Sequence, residues 1–257
     1  MMRGALFLSP HTILSPSPLK WEKLPYMTIR TLLSALLAGL TMASCAVYVP
    51  QTADIPHLTQ QGDMQGALSL DMANAAFALS LSGAPTHHLG LMLSGSLSMD
   101  EQPNTSLRPA VGYYHSWNNR LMLATYVGAD WRHRHYADID CQEWLDYHTT
   151  TLFGQVDFVW SPAPWFDLCS RLSIGNLHHT GTRTALLPDG TTSTSPRLGN
   201  NLIIEPTLQL RVGSQNLKFY LSGTFAELCA SPSQGKPAFA PFTLGIGLNY
   251  RFNPFRK

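Results

Sequence analysis

From Met64 onward the dominant period of apolar side chains is two, the period of a β-strand, whose successive side chains point to opposite faces. The last run is the clearest. Phe242, Leu244, Ile246, Leu248, Tyr250 and Phe252 alternate with Thr243, Gly245, Gly247, Asn249 and Arg251. Leu217, Phe219, Leu221 and Phe225 alternate with Lys218, Tyr220, Ser222 and Thr224, and Leu202, Ile204, Leu208, Leu210 and Val212 with Glu205, Thr207, Gln209 and Arg211. The same alternation marks runs around Leu68, Phe77, Leu91 and Val156, with weaker strands near 108–117, 120–136 and 166–176. The pattern predicts about ten strands, each near the ~9–11 residues that a tilted strand needs to cross a bilayer.

A β-sandwich also alternates, with its apolar face turned inward. Two features favour an up-and-down antiparallel transmembrane barrel. Connections alternate in length: tight turns are predicted near Ala84–His87, Ser116–Asn119, Ser161–Trp165 and Gly213–Asn216, and longer loops near 99–107, 137–148, 178–199 and 227–240. Membrane barrels have this asymmetry, with short periplasmic turns and long external loops. Aromatics (Tyr113, Trp117, Trp160, Trp165, Tyr250 and Phe252) gather beside the tight turns, where interfacial girdles sit. An even strand number brings both chain ends of the barrel to the periplasmic side.

Composition agrees with this reading. Charged residues are 13% of the chain, about half the usual share, and no segment after residue 45 approaches a membrane-spanning helix. A net charge of +1 gives no reason to expect a nucleic-acid partner.

Ahead of the strands, Met27 to Cys45 has a cationic start at Arg30, a short apolar run from Leu32 to Leu40, and the small residues Ala43 and Ser44 before the cysteine. This is the layout of an export signal, and its end resembles the lipobox of bacterial lipoproteins, with Met42 where Leu is usual. The resemblance implies acylation of Cys45, palmitate included, and handling by lipoprotein-export machinery. Residues 1–26 are then an over-called start or pre-signal extension, 27–44 the signal peptide, 45–62 an extended tether with two prolines, and 63–257 the barrel.

The lipobox cysteine, Tyr48-Val-Pro-Gln-Thr followed by Ile55-Pro, the entry Gln61-Gly-Asp-Met-Gln-Gly and the turn Ala84-Pro-Thr-His-His-Leu-Gly together resemble small outer-membrane β-barrel lipoproteins of the Bacteroidota. The end Gly247-Leu-Asn-Tyr250-Arg-Phe252 is similar to the C-terminal signal read by the barrel-assembly machinery. What the resemblance implies is a cell-envelope location in contact with outer-membrane lipid, anchored through Cys45, with N- and C-termini periplasmic.

Candidate chemistry is sparse. Gly245-x-Gly247 lies within a strand and lacks the third glycine and following helix of a nucleotide-binding turn, so its small residues are expected to make room inside the barrel. Asp138 and Asp140, with His133, His135 and Glu143 nearby, match in residue type the rim of the omptin proteases and nothing more of that pattern; solvated loop residues are the expected reading. A calcium ion on the same carboxylates rests on one short acidic loop. His87-His88 and His178-His179 are adjacent on extended chain and point apart, so neither pair chelates one ion. No metal and no cofactor are expected.

Inward-facing Asp71, Asp157, Glu205, Arg171, Arg211, Lys218 and Arg251, with Asp130, Asp167 and Arg132, predict a lumen charge network, since buried charges survive only when paired. Of four cysteines, Cys45 is the lipid site; Cys141 and Cys229 fall in two external loops and are candidates for a disulfide, and Cys169 is expected to be a free thiol in the lumen. The expected role is structural or surface-interacting, without catalysis. The competing readings are an enzyme at the barrel rim and a lipid-tethered periplasmic sandwich.

Overall fold

The computed structural model describes residues 48–255, apart from 53, 73–74, 100–103, 119, 139–142, 188–189 and 231–239. Cys45, Asp140 and Cys141 lie outside the described residues, as do the side chains of Asp138 and Glu143.

The strands are β1 (Met64–Asp71), β2 (Ala76–Gly83), β3 (Leu89–Ser98), β4 (Thr105–Trp117), β5 (Leu121–Asp138), β6 (Glu143–Ala163), β7 (Phe166–Leu186), β8 (Thr192–Gly213), β9 (Leu217–Phe225), β10 (Glu227–Ala230) and β11 (Phe242–Phe252). Neighbours pair antiparallel from β1 to β9. β11 then pairs with both β9 and β1, which closes the ring. β10 follows β9 after the single residue Ala226 and continues its line along β8, where Glu227 pairs with Ile204. The eleven segments therefore make ten staves, the closed all-β barrel that the alternation predicts. The tight turns fall at the predicted places, and closure removes the sheet edges that would otherwise invite aggregation.

The faces decide between barrel and sandwich. Leu68 and Leu79 are each 53% exposed and Ile246 is 47% exposed, whereas Asp157, Gln209 and Thr243 are fully buried. A sandwich would reverse this. The outward face is apolar over a belt. Along β6 it runs from Trp160 through Phe158 and Val156 to Leu152, about 26 Å of strand at about 3.3 Å per residue. Tilted by about 35–45°, that length approaches the ~25 Å apolar band of an outer-membrane barrel.

Beyond Leu152 the same face becomes Thr150, His148 and Asp146, while the β5–β6 ladder continues without a register break to Asp138↔Glu143. This corrects the expectation of loops at 137–148 and 178–199. β6, β7 and β8 run through most of those stretches, and β7 pairs with β8 as far as Leu186↔Thr192. The extension was hidden because Thr, His, Ser and Arg occupy both faces there, so no hydrophobic alternation marks it, although the backbone ladder is intact.

Replacing Ile246 by Arg, midway along β11, is expected to cost about 2–4 kcal/mol in folding from urea into lipid vesicles. The same change at Thr182, outward on β7 beyond the belt, is expected to shift the urea midpoint little. Equal costs at the two positions would contradict the placement of the belt.

Candidate functional site

The lumen is filled by the chain's own N-terminal segment. Tyr48 lies at the long-loop end, where its carbonyl accepts the Ala240 amide and its hydroxyl donates to Glu205 at 2.7 Å. Gly62 lies at the tight-turn end, its amide bonded to the Ala84 carbonyl. Between them the described residues from Tyr48 to Leu58 are buried and form no helix or strand, and Gln60 and Gln61 turn out into solvent at the tight-turn mouth. The segment expected as an extended tether is, from Tyr48 onward, a plug within the wall. The two X-Pro steps, Val49-Pro50 and Ile55-Pro56, bias the residue before each proline to extended backbone, but buried extended chain leaves its amides and carbonyls without ladder partners.

Inward side chains of the wall supply those partners. The amides of Thr52, Ile55 and His57 donate to Asp71, Gln209 and Gln65. The carbonyls of Val49, Thr52, Asp54, Ile55 and His57 accept from Arg132, Ser69, Arg171, Arg211 and Arg251. The Asp54 carboxylate is the hub. It accepts from Arg211 at 2.9 Å, Gln209 at 3.1 Å, Asn249 at 2.6 Å and Gln65, side chains of three different strands. Ile55 and Leu58 pack with Met92, Tyr114, Met122, Tyr126 and Phe153, while Tyr48 packs with Leu177, Ile203 and Leu228. Gly245 makes room for the segment: a Cβ there would sit 2.4 Å from the Thr52 hydroxyl.

The charges named from sequence are placed as follows. Asp71 accepts Thr243 at 2.7 Å as well as Thr52. Arg171 holds Asp157 through two bonds of 2.7 and 3.0 Å. Lys218 meets Asp167 at 2.7 Å, with His57 Nδ1 at 3.8 Å from the same carboxylate. Glu205 lies between Tyr48 and Arg108. Arg132 pairs with Asp130 and covers the Tyr48 ring at 4.4 Å. Sequence reasoning missed Asp54, because it belongs to a stretch without periodicity, and it missed Arg108. The inward parity of Arg108 on β4 was the available signal.

Other candidates are dispersed. His178 points outward to Asn200 and His179 inward beside Asn201. Burial, and then His178, hold the His179 pKa below the ordinary imidazole value. Cys169 is buried and free. Cys229 is a free thiol, exposed on the outward face of β10, and its candidate disulfide partner Cys141 lies outside the described residues. His133 meets Asp146 at 2.9 Å on the outer wall, facing away from the lumen.

Where the plug turns into β1, Asp63 accepts the Thr59 amide and hydroxyl at 2.8 Å each, the Gln60 amide at 3.1 Å and the Asn253 side chain at 2.9 Å. Burial pushes this carboxyl up, and the hydrogen bonds outweigh it, holding the pKa below the usual aspartate value.

No protein-family model and no curated protein matches this chain. Among solved structures it is similar to the outer membrane protease OmpT from Escherichia coli, with a TM-score of 0.53 at 8% identity over 74% of this chain and 93% of that one. The N-terminal β-barrel domain of Pseudomonas aeruginosa OprF aligns at 12% identity over 75% of this chain and 98% of that one, with a TM-score of 0.33. The OmpT likeness, at that identity, speaks for the barrel fold alone.

Two outcomes follow from this geometry. Asp54→Ala strands the buried Arg211 guanidinium and should cost about 3–5 kcal/mol in urea unfolding; a loss under about 1 kcal/mol would mean that the hub is dispensable. Asp63 has its pKa depressed in the fold. Its stabilisation is therefore complete above the unfolded value of about 3.9 and is lost as pH falls through the folded one. In Asp63→Asn that acid-side loss should shrink, which midpoints measured across pH 2–6 would reveal.

Proposed function

We propose that the chain is an outer-membrane β-barrel lipoprotein with a structural or surface-interaction role, closed to transport by its own N-terminal segment. The observation that carries this reading is the crossing of the lumen by residues 48–62, with the backbone of that segment bound by side chains of the wall. A ten-stave barrel has a narrow interior to begin with, and in this one Tyr48 to Leu58 are buried inside it.

The same crossing bears on the anchor. Cys45 precedes Tyr48 by three residues, a reach of at most about 11 Å. Tyr48 is at the long-loop end and Phe252, paired with Met64, is at the tight-turn end. With the tight turns periplasmic, as in outer-membrane barrels, the C-terminus is periplasmic. The acylated N-terminus instead belongs at the external face, which revises the expectation that both termini are periplasmic. Acyl chains on Cys45 then hold the plug at its outer end, while the turn at Asp63 holds it at the inner one.

In planar lipid bilayers the intact protein should show no steady conductance. Deletion of residues 48–58 should open one, provided the deleted barrel keeps the heat-modifiable electrophoretic mobility of a folded barrel. Open channels in the intact protein would refute the closed reading. Cys45→Ala should abolish palmitate incorporation. An epitope inserted after Ala46 should be reached by antibody on intact cells; detection only after permeabilisation would return the N-terminus to the periplasm.

A further inference from the structure

We propose that His133, Asp146 and His148 form a binding site for a first-row divalent transition metal ion, on the outer wall of the barrel just beyond the apolar belt. The site goes beyond the plugged, lipid-anchored reading and does not depend on it.

The β5–β6 register creates the juxtaposition. His133 pairs directly with His148, and His135 pairs with Asp146, so Asp146 is the diagonal neighbour of His133 on the same outward face. Directly opposed residues on adjacent antiparallel strands have Cβ atoms about 4.5–5.5 Å apart, and diagonal ones about 7–8 Å apart, within reach of long side chains. The two imidazole rings stand parallel with centroids 4.4 Å apart and planes 5° apart. His133 Nε2 lies 2.9 Å from an Asp146 oxygen. One ligand atom from each of the three residues lies within 4.8 Å of the others. The side chains of His133 and Asp146 are 42% and 49% exposed, so the rotations that would bring all three onto one ion meet no packed wall. The backbone beneath them is fixed by a ladder that runs unbroken from Leu121↔Trp160 to Asp138↔Glu143.

The ligand chemistry selects the ion. Two imidazoles and one carboxylate suit zinc, copper, nickel or cobalt, whereas calcium and magnesium require shells of oxygen. Three protein ligands leave a fourth position for water, an arrangement also found in zinc sites built from two histidines and one carboxylate. The ordinary alternative is a surface ion pair beside a stacked histidine. Such a pair would need no third residue in phase and would show no preference among divalent ions. Sequence reading could not find this triad, because His148 fell in a stretch read as loop; only the register across β5 and β6 joins it to His133.

The test uses the full-length protein in detergent micelles. Outward Trp131 and Trp144 each lie one alternation from the site, so copper(II) bound there should quench tryptophan fluorescence saturably, and calorimetry with zinc should give one site per chain. Asp146→Asn and His148→Asn should each weaken zinc by more than the about 10–100-fold that loss of a supporting second-sphere partner costs. The double change His133→Asn with His148→Asn should abolish both signals. His178→Asn, on the neighbouring strand, should leave them unchanged. All these side chains are solvent-exposed, and heat-modifiable mobility will report that each variant is folded. Unchanged affinity in the double variant, the absence of saturable zinc or copper binding, or calcium binding as tight as zinc would each overturn the proposal.

Discussion

The structure depends on a mutual satisfaction of polar groups between the barrel wall and the chain inside it. An extended segment without ladder partners cannot lie in a water-poor lumen unless each amide and carbonyl finds another partner, because an unpaired buried group costs about 1–3 kcal/mol. The wall has the complementary problem. Arg132, Arg171 and Arg211 are buried, and a guanidinium donates five N–H bonds that a single carboxylate cannot absorb. Each of these arginines divides its donors between a carboxylate and a carbonyl of the crossing segment: Arg132 to Asp130 and Val49, Arg171 to Asp157 and Asp54, and Arg211 to Asp54 and Ile55. Wall and segment thus each supply hydrogen-bond partners to the other.

That interdependence explains what was legible in the sequence. A period of two survives wherever one face meets lipid and the other meets polar contents, and the belt strands were therefore readable, as was the inward set Asp71, Asp157, Glu205, Arg171 and Arg211. Two things were not. The extension of β5 to β8 beyond the belt has polar residues on both faces, so His148 and Thr180 looked like loop although they sit opposite each other in a ladder. The plug has no period at all, because its partners are side chains from many strands. Gln65, Gln209 and Asn249 all converge on Asp54 from separations of 11, 155 and 195 residues. Local sequence carries no trace of contacts at that range.

The belt and the extension divide the outer surface into two chemistries. From Trp160 to Leu152 the β6 wall presents apolar groups, and beyond Leu152 Thr150, His148 and Asp146 present a hydroxyl, an imidazole and a carboxylate on an equally regular backbone. A strand scaffold positions side chains more reproducibly than a loop does, because the ladder fixes the Cβ spacing. The external part of this barrel is thus an ordered surface rather than a set of free loops, at least along β5 to β8.

Occupancy of the lumen also explains details of the inner wall that an empty pore would not need. Gly245 and Gly247 lie on adjacent levels of β11, one where a Cβ would strike Thr52 and the other where it would strike the Tyr220 ring. A conduit gains nothing from shaving its wall at one level against a threonine hydroxyl. A socket does, because close approach of segment and wall is what allows the Thr52 amide and hydroxyl to reach Asp71 on β1 while Thr243 of β11 bonds the same carboxylate. Asp71 and Asp54 therefore join β1, β8 and β11, strands on either side of the closure between the first and last staves, through the segment between them. The plug occupies the pore and also ties the chain's two ends together at the seam where the ring must shut.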